Sequence, residues 1–393
     1  MLFISHIDPE WISHYPTGLY DTTIYESVLA DKRACTQACL HASLRSPETE
    51  PKLMLSNQVE VLITVPFSDE ILARLREVSP RLRVILERVN KAEEVGADTW
   101  GRAEVLYTDG VLPSAEQAPN LRWVQFHRAG LDRWLQEPLL AKPGLVVTSL
   151  SGAAAPQIAE YVLMMLLALG HRLPDMLEAQ RKAEWPHERG KRFSPRELRD
   201  STVGIVGYGS IGREIARLLY AFGATILATK RDLMHPQADG YLPAGLGDPA
   251  GDLARRLYPP QALRSMVKEC DFVVVTLPLT AETQGLIGAE VIAAMKPGAF
   301  LVDVSRGGIV NQTALTAALR DRKLGGAALD VFPQEPLPVD SPLWKLPNVI
   351  ISPHIGGNSP RYEARAADLF AENLERYLKG EPLLNTVELE AGY

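Results

Sequence analysis

The stretch VGIVGYGSIGREIARLLYAFGATILATKRD, residues 203–232, decides the fold class of this chain. Its pattern predicts a buried strand, a glycine-rich turn, an amphipathic helix that stops at Gly223, and a second strand. Gly207, Gly209 and Gly212 have the spacing G-x-G-x-x-G. Between a strand and a helix, these glycines allow a tight turn, close approach of the backbone to a pyrophosphate, and close helix–strand packing. The stretch therefore predicts a parallel α/β sheet with a dinucleotide site at the start of the helix.

The end of this unit departs from the common pattern. An Asp or Glu about 20 residues after the glycines normally accepts the ribose hydroxyls of NAD. Lys230 and Arg231 stand at that place instead. Two cations attract the 2′-phosphate of NADP, and an arginine can hold it through two parallel hydrogen bonds. We therefore predict a site that prefers NADP(H), with NAD(H) as the alternative if both cations are solvated and Asp232 bends back to the ribose.

Short apolar strands alternate with helices along most of the chain, which is typical of parallel α/β proteins. Strands are predicted at 59–65, 82–87, 104–108, 121–126, 145–149, 201–207, 225–230, 271–277, 299–304, 326–332 and 349–354. Helices are predicted at 68–78, 156–175, 211–223 and 359–379. The helix at 156–175 is apolar on almost every face, so we expect it to be buried on all sides, as a central core helix or against a second subunit.

The prediction is an α/β fold of two Rossmann-like or flavodoxin-like doubly wound domains, with parallel sheets and an interdomain cleft. Residues 1–151 together with 356–393 are predicted to form the substrate (catalytic) domain. Residues 152–355 are predicted to form the dinucleotide-binding Rossmann domain. Two segments lie outside this pattern: 1–50, where a helix is predicted over 27–44, and the Gly- and Pro-rich stretch 235–260. The latter either covers the adenosine end of the cofactor or is an ordered surface excursion.

Composition excludes several classes of protein. A formal net charge of -7 argues against a general nucleic-acid binder. The longest apolar run, 161–169, is far shorter than a membrane span, and the N-terminus lacks the basic flank of a signal peptide. The three cysteines, Cys35, Cys39 and Cys270, form no CxxC pair and predict neither a metal site nor a disulfide framework. We expect a cytoplasmic protein without a metal, a nucleic-acid partner or a membrane partner.

Three motifs in the second half each place a chemically useful side chain after a predicted strand. They are VDVSRGGIVN at 302–311 with Arg306, ALDVFPQEPLP at 328–338 with Glu335, and VIISPHIGGNSP at 349–360 with His354. Ligands of open α/β sheets bind at the carboxyl ends of the strands. We therefore expect these three side chains to converge on one site near the dinucleotide loop.

In these motifs and several others the chain resembles the D-isomer-specific 2-hydroxyacid dehydrogenases. The matching stretches are GYGSIG (207–212), DFVVVTLPLTAETQGLIG (271–288), MKPGAFLVDVSRGG (295–308), GAALDVFPQEPLP (326–338) and NVIISPHIGG (348–357), with weaker matches at 119–133 and 154–161. The resemblance covers about 59–385 and is most specific in the second half.

The resemblance implies a reaction that the side-chain chemistry supports independently. Reduction of a 2-keto acid needs a hydride from a nicotinamide and a proton for the new alkoxide. His354 would be the general acid or base, because imidazole titrates near neutral pH. Glu335 would bind the other ring nitrogen and favour the imidazolium. Arg306 would hold the carboxylate and the carbonyl oxygen of the substrate.

Further contacts are implied motif by motif. The implied cofactor-binding residues are Gly207, Tyr208, Gly209, Ser210, Ile211, Gly212, Lys230, Arg231, Leu277, Pro278, Val304, Asp330, His354 and Gly356. The implied substrate-binding residues are Asp109, Gly110, Ala129, Gly130 and Arg306, with the backbone N–H groups near Ala129 and Gly130 on the substrate carboxylate. Arg128 departs from the small residues common there, and either adds a substrate contact or points to solvent.

The predicted function is NADP-preferring hydride transfer to a small 2-keto acid, such as glyoxylate or hydroxypyruvate, or the reverse oxidation of the D-2-hydroxy acid. One alternative is an NAD-linked dehydrogenase of a larger or phosphorylated acid. Another is a nucleotide-sensing binding protein without catalysis, although such a protein has no need of Arg306, Glu335 and His354 together. The expected assembly is a homodimer.

Overall fold

Two parallel sheets organise the chain in the computed structural model, which describes residues 58–390. The helix predicted at 27–44 lies outside the described residues. The first sheet has the strand order β2-β1-β3-β4-β5, which is the flavodoxin-like order. Its strands are β1 (Val59–Ile63), β2 (Leu82–Leu86), β3 (Val105–Thr108), β4 (Trp123–Phe126) and β5 (Val146–Thr148).

The second sheet has the order β12-β11-β10-β9-β6-β7-β8, the Rossmann order extended by one strand. Its strands are β6 (Thr202–Val206), β7 (Thr225–Thr229), β8 (Arg256–Tyr258), β9 (Phe272–Val275), β10 (Phe300–Asp303), β11 (Gly326–Leu329) and β12 (Val349–Ile351). The strand order reverses where β6 lies beside β9, so the glycine loop after β6 opens at the switch point where such sheets bind ligands. The predicted fold class is confirmed.

Helices cover these sheets. In the described residues they are α1 (Asp69–Glu77), α2 (Ala97–Arg102), α3 (Ala155–Gly170), α4 (Leu173–Arg181), α5 (Arg189–Arg192), α6 (Ser210–Ala221), α7 (Leu263–Val267), α8 (Ala289–Ala294), α9 (Gln312–Arg320) and α10 (Tyr362–Lys379). Short 3₁₀ turns lie at Ala92–Glu94, Pro138–Ala141, Pro260–Ala262 and Pro342–Lys345. Between residues 58 and 390, no helix combines the length and the apolar content that a membrane crossing requires.

The cores explain why the strands are almost wholly apolar. Every residue of β9, Phe272–Val275, is buried, as expected for a parallel strand with helices on both faces. The final helix α10 contributes Phe370 and Leu374 to the core of the first sheet, although it follows the second sheet in sequence. The last helix was predicted to return to the first domain. The exact boundaries at 151/152 and 355/356 stay predictions.

Two predictions about the elements are wrong. The helix predicted over 156–175 ends at Gly170, and a second helix starts at Leu173 after Arg172 takes a left-handed φ of 59°. Pro174 explains the break, because proline has no N–H to donate to the carbonyl four residues earlier and its ring clashes with that carbonyl, whereas proline is tolerated in the first turn of a new helix. The first of these helices is also not buried on all sides, since Met164 is 52% exposed.

The stretch 235–260 is also not one continuous loop. It contains the edge strand β8 (Arg256–Tyr258), which pairs with β7. Three residues are too few to show a period of two, so the sequence pattern did not reveal this strand. The irregular segment between β7 and β8 therefore covers residues 230–255.

Candidate active site

A carboxylate and an imidazole meet at the carboxyl end of the second sheet. Glu335 Oε2 lies 2.9 Å from His354 Nδ1, and Glu335 Oε1 accepts a hydrogen bond of 3.0 Å from the N–H of Phe332. Partial burial raises the pKa of Glu335, but these hydrogen bonds and the positive charges of His354 and Arg306 outweigh burial and lower the pKa overall. Glu335 is therefore ionised at neutral pH.

Asp330 fixes the loop that carries His354. Its carboxylate accepts hydrogen bonds from the Ser352 hydroxyl (2.6 Å) and from the N–H groups of Ile355 (2.9 Å) and Gly356 (2.8 Å). These bonds hold His354 at a φ of 54°, a left-handed conformation that is unusual outside glycine. A Cβ on Gly356 would lie 2.9 Å from Asp330, so this loop needs a glycine there.

A second turn carries Arg306 into the same region. The N–H and hydroxyl of Ser305 both donate to Asp303 at the end of β10, which shapes the turn. Burial raises the pKa of Asp303 to about 7, while the bonds from Ser305 oppose that rise. Arg306 Nη1 donates to its neighbour Ser305 O at 2.9 Å, and Arg306 Nε lies 3.5 Å from Asp132 of the first domain.

The first domain meets Arg306 through a glycine. A Cβ added to Gly130 would collide with the guanidinium of Arg306 in this conformation, so the glycine leaves room for that side chain to lie directly against the backbone of the first domain. Gly110, with a φ of 114°, packs against the indole of Trp134 in the same way. The predicted residues Ala129, Gly130 and Gly110 thus lie on the Arg306 side of the first sheet.

Arg128 is bound to Asp109. Its Nε and Nη2 both reach the Asp109 carboxylate, with 2.6 Å for the Nη2 contact. The Arg128 side chain is 57% exposed, so it is paired and also faces solvent. Beneath this pair, His127 is enclosed by aromatic rings and accepts or donates one hydrogen bond of 2.6 Å with the Tyr107 hydroxyl. Burial lowers the pKa of His127 to about 4.

The glycine loop has the shape that a dinucleotide pyrophosphate requires. Gly207 has a φ of 107°, and a Cβ on Gly212 would run into the carbonyl oxygen of Gly207. A Cβ on Gly209, by contrast, would meet no atom within 4 Å, so there is open space beside the start of α6. The first N–H groups of a helix have no carbonyl partner within the helix and attract anions. The residues present therefore suit a bound dinucleotide.

The side chains of the glycine loop make different kinds of contact. Tyr208 is only 4% exposed, and its hydroxyl donates to Asp248 at 2.6 Å. Ser210 Oγ donates to Tyr241 O at 3.2 Å. Ile211, which begins the apolar face of α6, is partly buried against the core of the sheet. Tyr208 thus faces the protein, while the backbone of Ser210 and Ile211 begins the helix.

The remaining predicted cofactor residues follow strands β7, β9 and β10 of the same sheet. Leu277 lies against Gly207, with 2.9 Å from its Cδ2 to a Cβ built on that glycine. Pro278 O accepts the Thr283 hydroxyl at 2.6 Å. Val304 follows β10 and is 9% exposed. Lys230 and Arg231 follow β7, at the same edge of the sheet as the glycine loop.

Sequence reasoning missed three contacts of this region. Asp132 stands two residues after Gly130, inside the weakly matching stretch 119–133, but only the folded chain shows that it reaches Arg306. Trp134 covers Gly110 in the same segment. Asp248 was part of a segment without an assigned role, and no local pattern connects it with Tyr208, 40 residues earlier.

A Rossmann-order sheet with a pyrophosphate loop, beside an arginine and a Glu–His pair, defines a nicotinamide-dependent oxidoreductase. Residues 163–356 match the family model described as D-isomer specific 2-hydroxyacid dehydrogenase, NAD binding domain. The chain belongs to the D-isomer-specific 2-hydroxyacid dehydrogenase family. It is therefore an NAD(P)-dependent enzyme that acts on CH–OH groups.

Individual relatives agree with this assignment. A glyoxylate reductase of Korarchaeum cryptofilum is 32% identical over 80% of this chain and 88% of its own length. A D-3-phosphoglycerate dehydrogenase of Methanocaldococcus jannaschii is 30% identical over 84% of this chain, which spans 60% of that relative. The crystal structure of a D-isomer specific 2-hydroxyacid dehydrogenase from Xanthobacter autotrophicus Py2, in complex with NADPH and MES, has a TM-score of 0.70 and 30% identity, and covers 86% of this chain and 100% of its own.

Proposed function

We propose that this protein reduces a small 2-keto acid, such as glyoxylate or hydroxypyruvate, to the D-2-hydroxy acid with NADPH, and catalyses the reverse oxidation. The observation that carries the proposal is the Glu335–His354 pair at 2.9 Å, on the same sheet edge as Arg306. A relative named glyoxylate reductase and a similar structure with bound NADPH support this substrate class and cofactor.

The proposed roles follow from the chemistry of each side chain. Arg306 binds the carboxylate and the carbonyl oxygen, which orients the keto carbon and polarises the C=O bond. When bound, the reduced nicotinamide supplies the hydride that forms the new C–H bond. The electron pair of the C=O bond then moves to oxygen, which takes the proton from the His354 imidazolium. The carboxylate of Glu335 stabilises that imidazolium before the transfer.

The first domain completes the proposed substrate site. The N–H groups of Ala129 and Gly130 would bind the substrate carboxylate, with Asp109 and Gly110 along the same wall. Contact between Gly130 and the Arg306 guanidinium supports this arrangement, because it brings the two carboxylate-binding elements together. Both domains are then needed to hold one small acid.

A panel of 2-keto acids, each assayed with NADPH and with NADH, tests this function. We expect turnover of glyoxylate or hydroxypyruvate, with a higher kcat/KM for NADPH. If a larger or phosphorylated acid is reduced with NADH instead, the NAD-linked alternative is correct. If the protein binds the cofactors but turns over none of the acids, the sensing alternative is correct.

The cofactor preference is expected to depend on Arg231. Arg231→Ala removes a bidentate partner of the 2′-phosphate, so kcat/KM for NADPH should fall by about tenfold. The value for NADH should stay within about twofold, because NADH has no 2′-phosphate. Arg320→Ala, which removes an exposed arginine of α9, is the matched control. An equal fall for both cofactors would contradict the assignment of Arg231 to the phosphate.

The pH–rate profile of keto acid reduction is expected to depend on the charge of Glu335. Because its pKa is lowered, its carboxylate stabilises the protonated ring throughout the neutral range, and that support disappears as the pH falls through the lowered value. Glu335→Gln keeps an acceptor for Nδ1 but removes the charge. We expect the alkaline limb of the keto acid reduction profile to move to lower pH by about one unit. A pH–rate profile of both proteins measures this shift, and an unmoved limb would exclude electrostatic support by Glu335.

A homodimer formed through α3 and α4 is part of the proposal. Met164, Leu173, Met176 and Leu177 are large apolar side chains that remain 39–52% exposed on these two helices. Apolar residues grouped on a surface commonly mark an interface between subunits. A cytoplasmic location stays a prediction from the cysteine pattern.

A further inference from the structure

The segment between β7 and β8 is built onto the glycine loop. We call residues 232–255 the insert. Arg213 on α6 is only 2% exposed and donates to three carbonyl oxygens of the insert: Asp248 (2.6 Å), Pro236 (2.6 Å) and Gln237 (3.0 Å). A buried arginine with three carbonyl partners fixes the path of both chains, because removing any partner leaves a buried donor unsatisfied.

The middle of the insert is held on both sides of Asp239. On one side, Ala238 N donates to Pro249 O at 3.0 Å. On the other side, Tyr241 N donates to Asn385 Oδ1 at 2.9 Å, while Tyr241 O accepts Ser210 Oγ at 3.2 Å. Asp239 therefore sits on a defined piece of backbone, between the end of β7 and the start of α6.

The insert places the carboxylate of Asp239 beside Lys230, the cation that stands where an acidic residue usually follows the second strand. Asp239 Oδ2 lies 3.9 Å from Lys230 Nζ. The Lys230 side chain is only 12% exposed, whereas Asp239 is 94% exposed and has room to accept further hydrogen bonds. In Rossmann domains the ribose of the adenosine half binds at this point, between the second strand and the pyrophosphate loop.

We propose that Asp239 is the acceptor for the adenosine ribose hydroxyls of NAD(H), and that it opposes binding of the 2′-phosphate of NADP(H). Asp239, nine residues after Lys230, thus supplies the carboxylate that is missing at the end of β7. Lys230 and Asp239 together make a site that takes both cofactors, and Asp239 sets how far NADP(H) is preferred. This inference rests on the proposed cofactor site.

Asp232 is the competing candidate, because it is closer in sequence to the end of β7. Its carboxylate accepts the N–H of Met234 at 2.9 Å and contacts the His235 ring at 2.6 Å. These bonds lower the pKa of Asp232, with the His235 contact as the largest cause. Asp232 is thus engaged in the turn that starts the insert, which leaves Asp239 as the carboxylate beside Lys230.

Fluorescence titrations of NADH and NADPH, without any keto acid, test the proposal on Asp239→Asn. The variant loses a charged acceptor for two hydroxyls, so the Kd for NADH should rise by about fivefold. It also loses a negative charge beside the 2′-phosphate, so the Kd for NADPH should fall by about threefold. A purely structural effect would move both constants in the same direction. Asp232→Asn is the matched control, and it should leave the ratio of the two constants unchanged.

Opposite shifts in Asp239→Asn with an unchanged ratio in Asp232→Asn would support the proposal. Shifts in one direction, an unchanged ratio in Asp239→Asn, or loss of NADH binding in Asp232→Asn would overturn it. The titrations need no turnover, so they are independent of the proposed reaction. If the keto acid panel shows no reduction while Asp239→Asn still shifts the two constants apart, the proposed function fails and this inference stands.

Discussion

His354→Ala is expected to lower kcat for keto acid reduction by about 10²–10⁴, the usual contribution of a positioned general acid. The reason is that the new alkoxide would have to take its proton from water instead of from the ring held by Glu335 at 2.9 Å. The Kd for NADPH should stay within about threefold, because the pyrophosphate loop and the phosphate site are untouched. Steady-state kinetics and a cofactor titration on the same preparation separate the two effects.

His187→Ala is the matched control for this variant, since His187 is an exposed residue in the turn before α5. Its kcat should equal that of the unsubstituted protein. If His354→Ala keeps full kcat across the pH range, another group supplies the proton and the proposed role of His354 is wrong.

Replacement of Arg306 is expected to have the second largest effect. Arg306→Ala should lower kcat/KM for the keto acid by about 10²–10³, comparable with the loss of one donor to a developing oxyanion. Arg306→Lys keeps the positive charge but loses the planar pair of donors that matches a carboxylate. Its kcat/KM should recover by no more than about tenfold over the alanine variant.

The kinetic pattern distinguishes binding from catalysis at Arg306. Because Arg306 is proposed to hold both the carboxylate and the carbonyl oxygen, KM should rise and kcat should fall together. Arg264→Ala, an exposed arginine on α7, serves as the control and should change neither constant. A rise in KM alone would restrict Arg306 to substrate binding, and no change in either constant would remove it from the site.

The sequence predicts those parts of the molecule that depend on local pattern. The strand–glycine–helix unit at 203–232 is such a part, because the tight turn and the helix start are set by residues close in sequence. Arg306, Glu335 and His354 were also predicted to converge, since each follows a parallel strand and parallel strands end at one edge. In the structure, β10, β11 and β12 are indeed neighbours in one sheet.

Contacts between distant segments were not predictable in this way. Nothing local in the chain indicates that Asp132 reaches Arg306, or that Asp239 returns to Lys230. Both pairs depend on how the two domains and the insert pack, and a single sequence carries no signal of that packing. The break of the long apolar helix before Pro174 had a local cause, but the continuous apolar run masked it.

The most direct test of the central claim follows the hydride itself. The protein is incubated with NADPH that carries deuterium at both C4 positions, together with each keto acid of the panel, and the hydroxy acids are analysed by mass spectrometry. The account predicts one deuterium at C2 of the hydroxy acid, formed rapidly by the unsubstituted protein and slowly by His354→Ala. Absence of deuterium from every hydroxy acid, or equal rates for the two proteins, would contradict it.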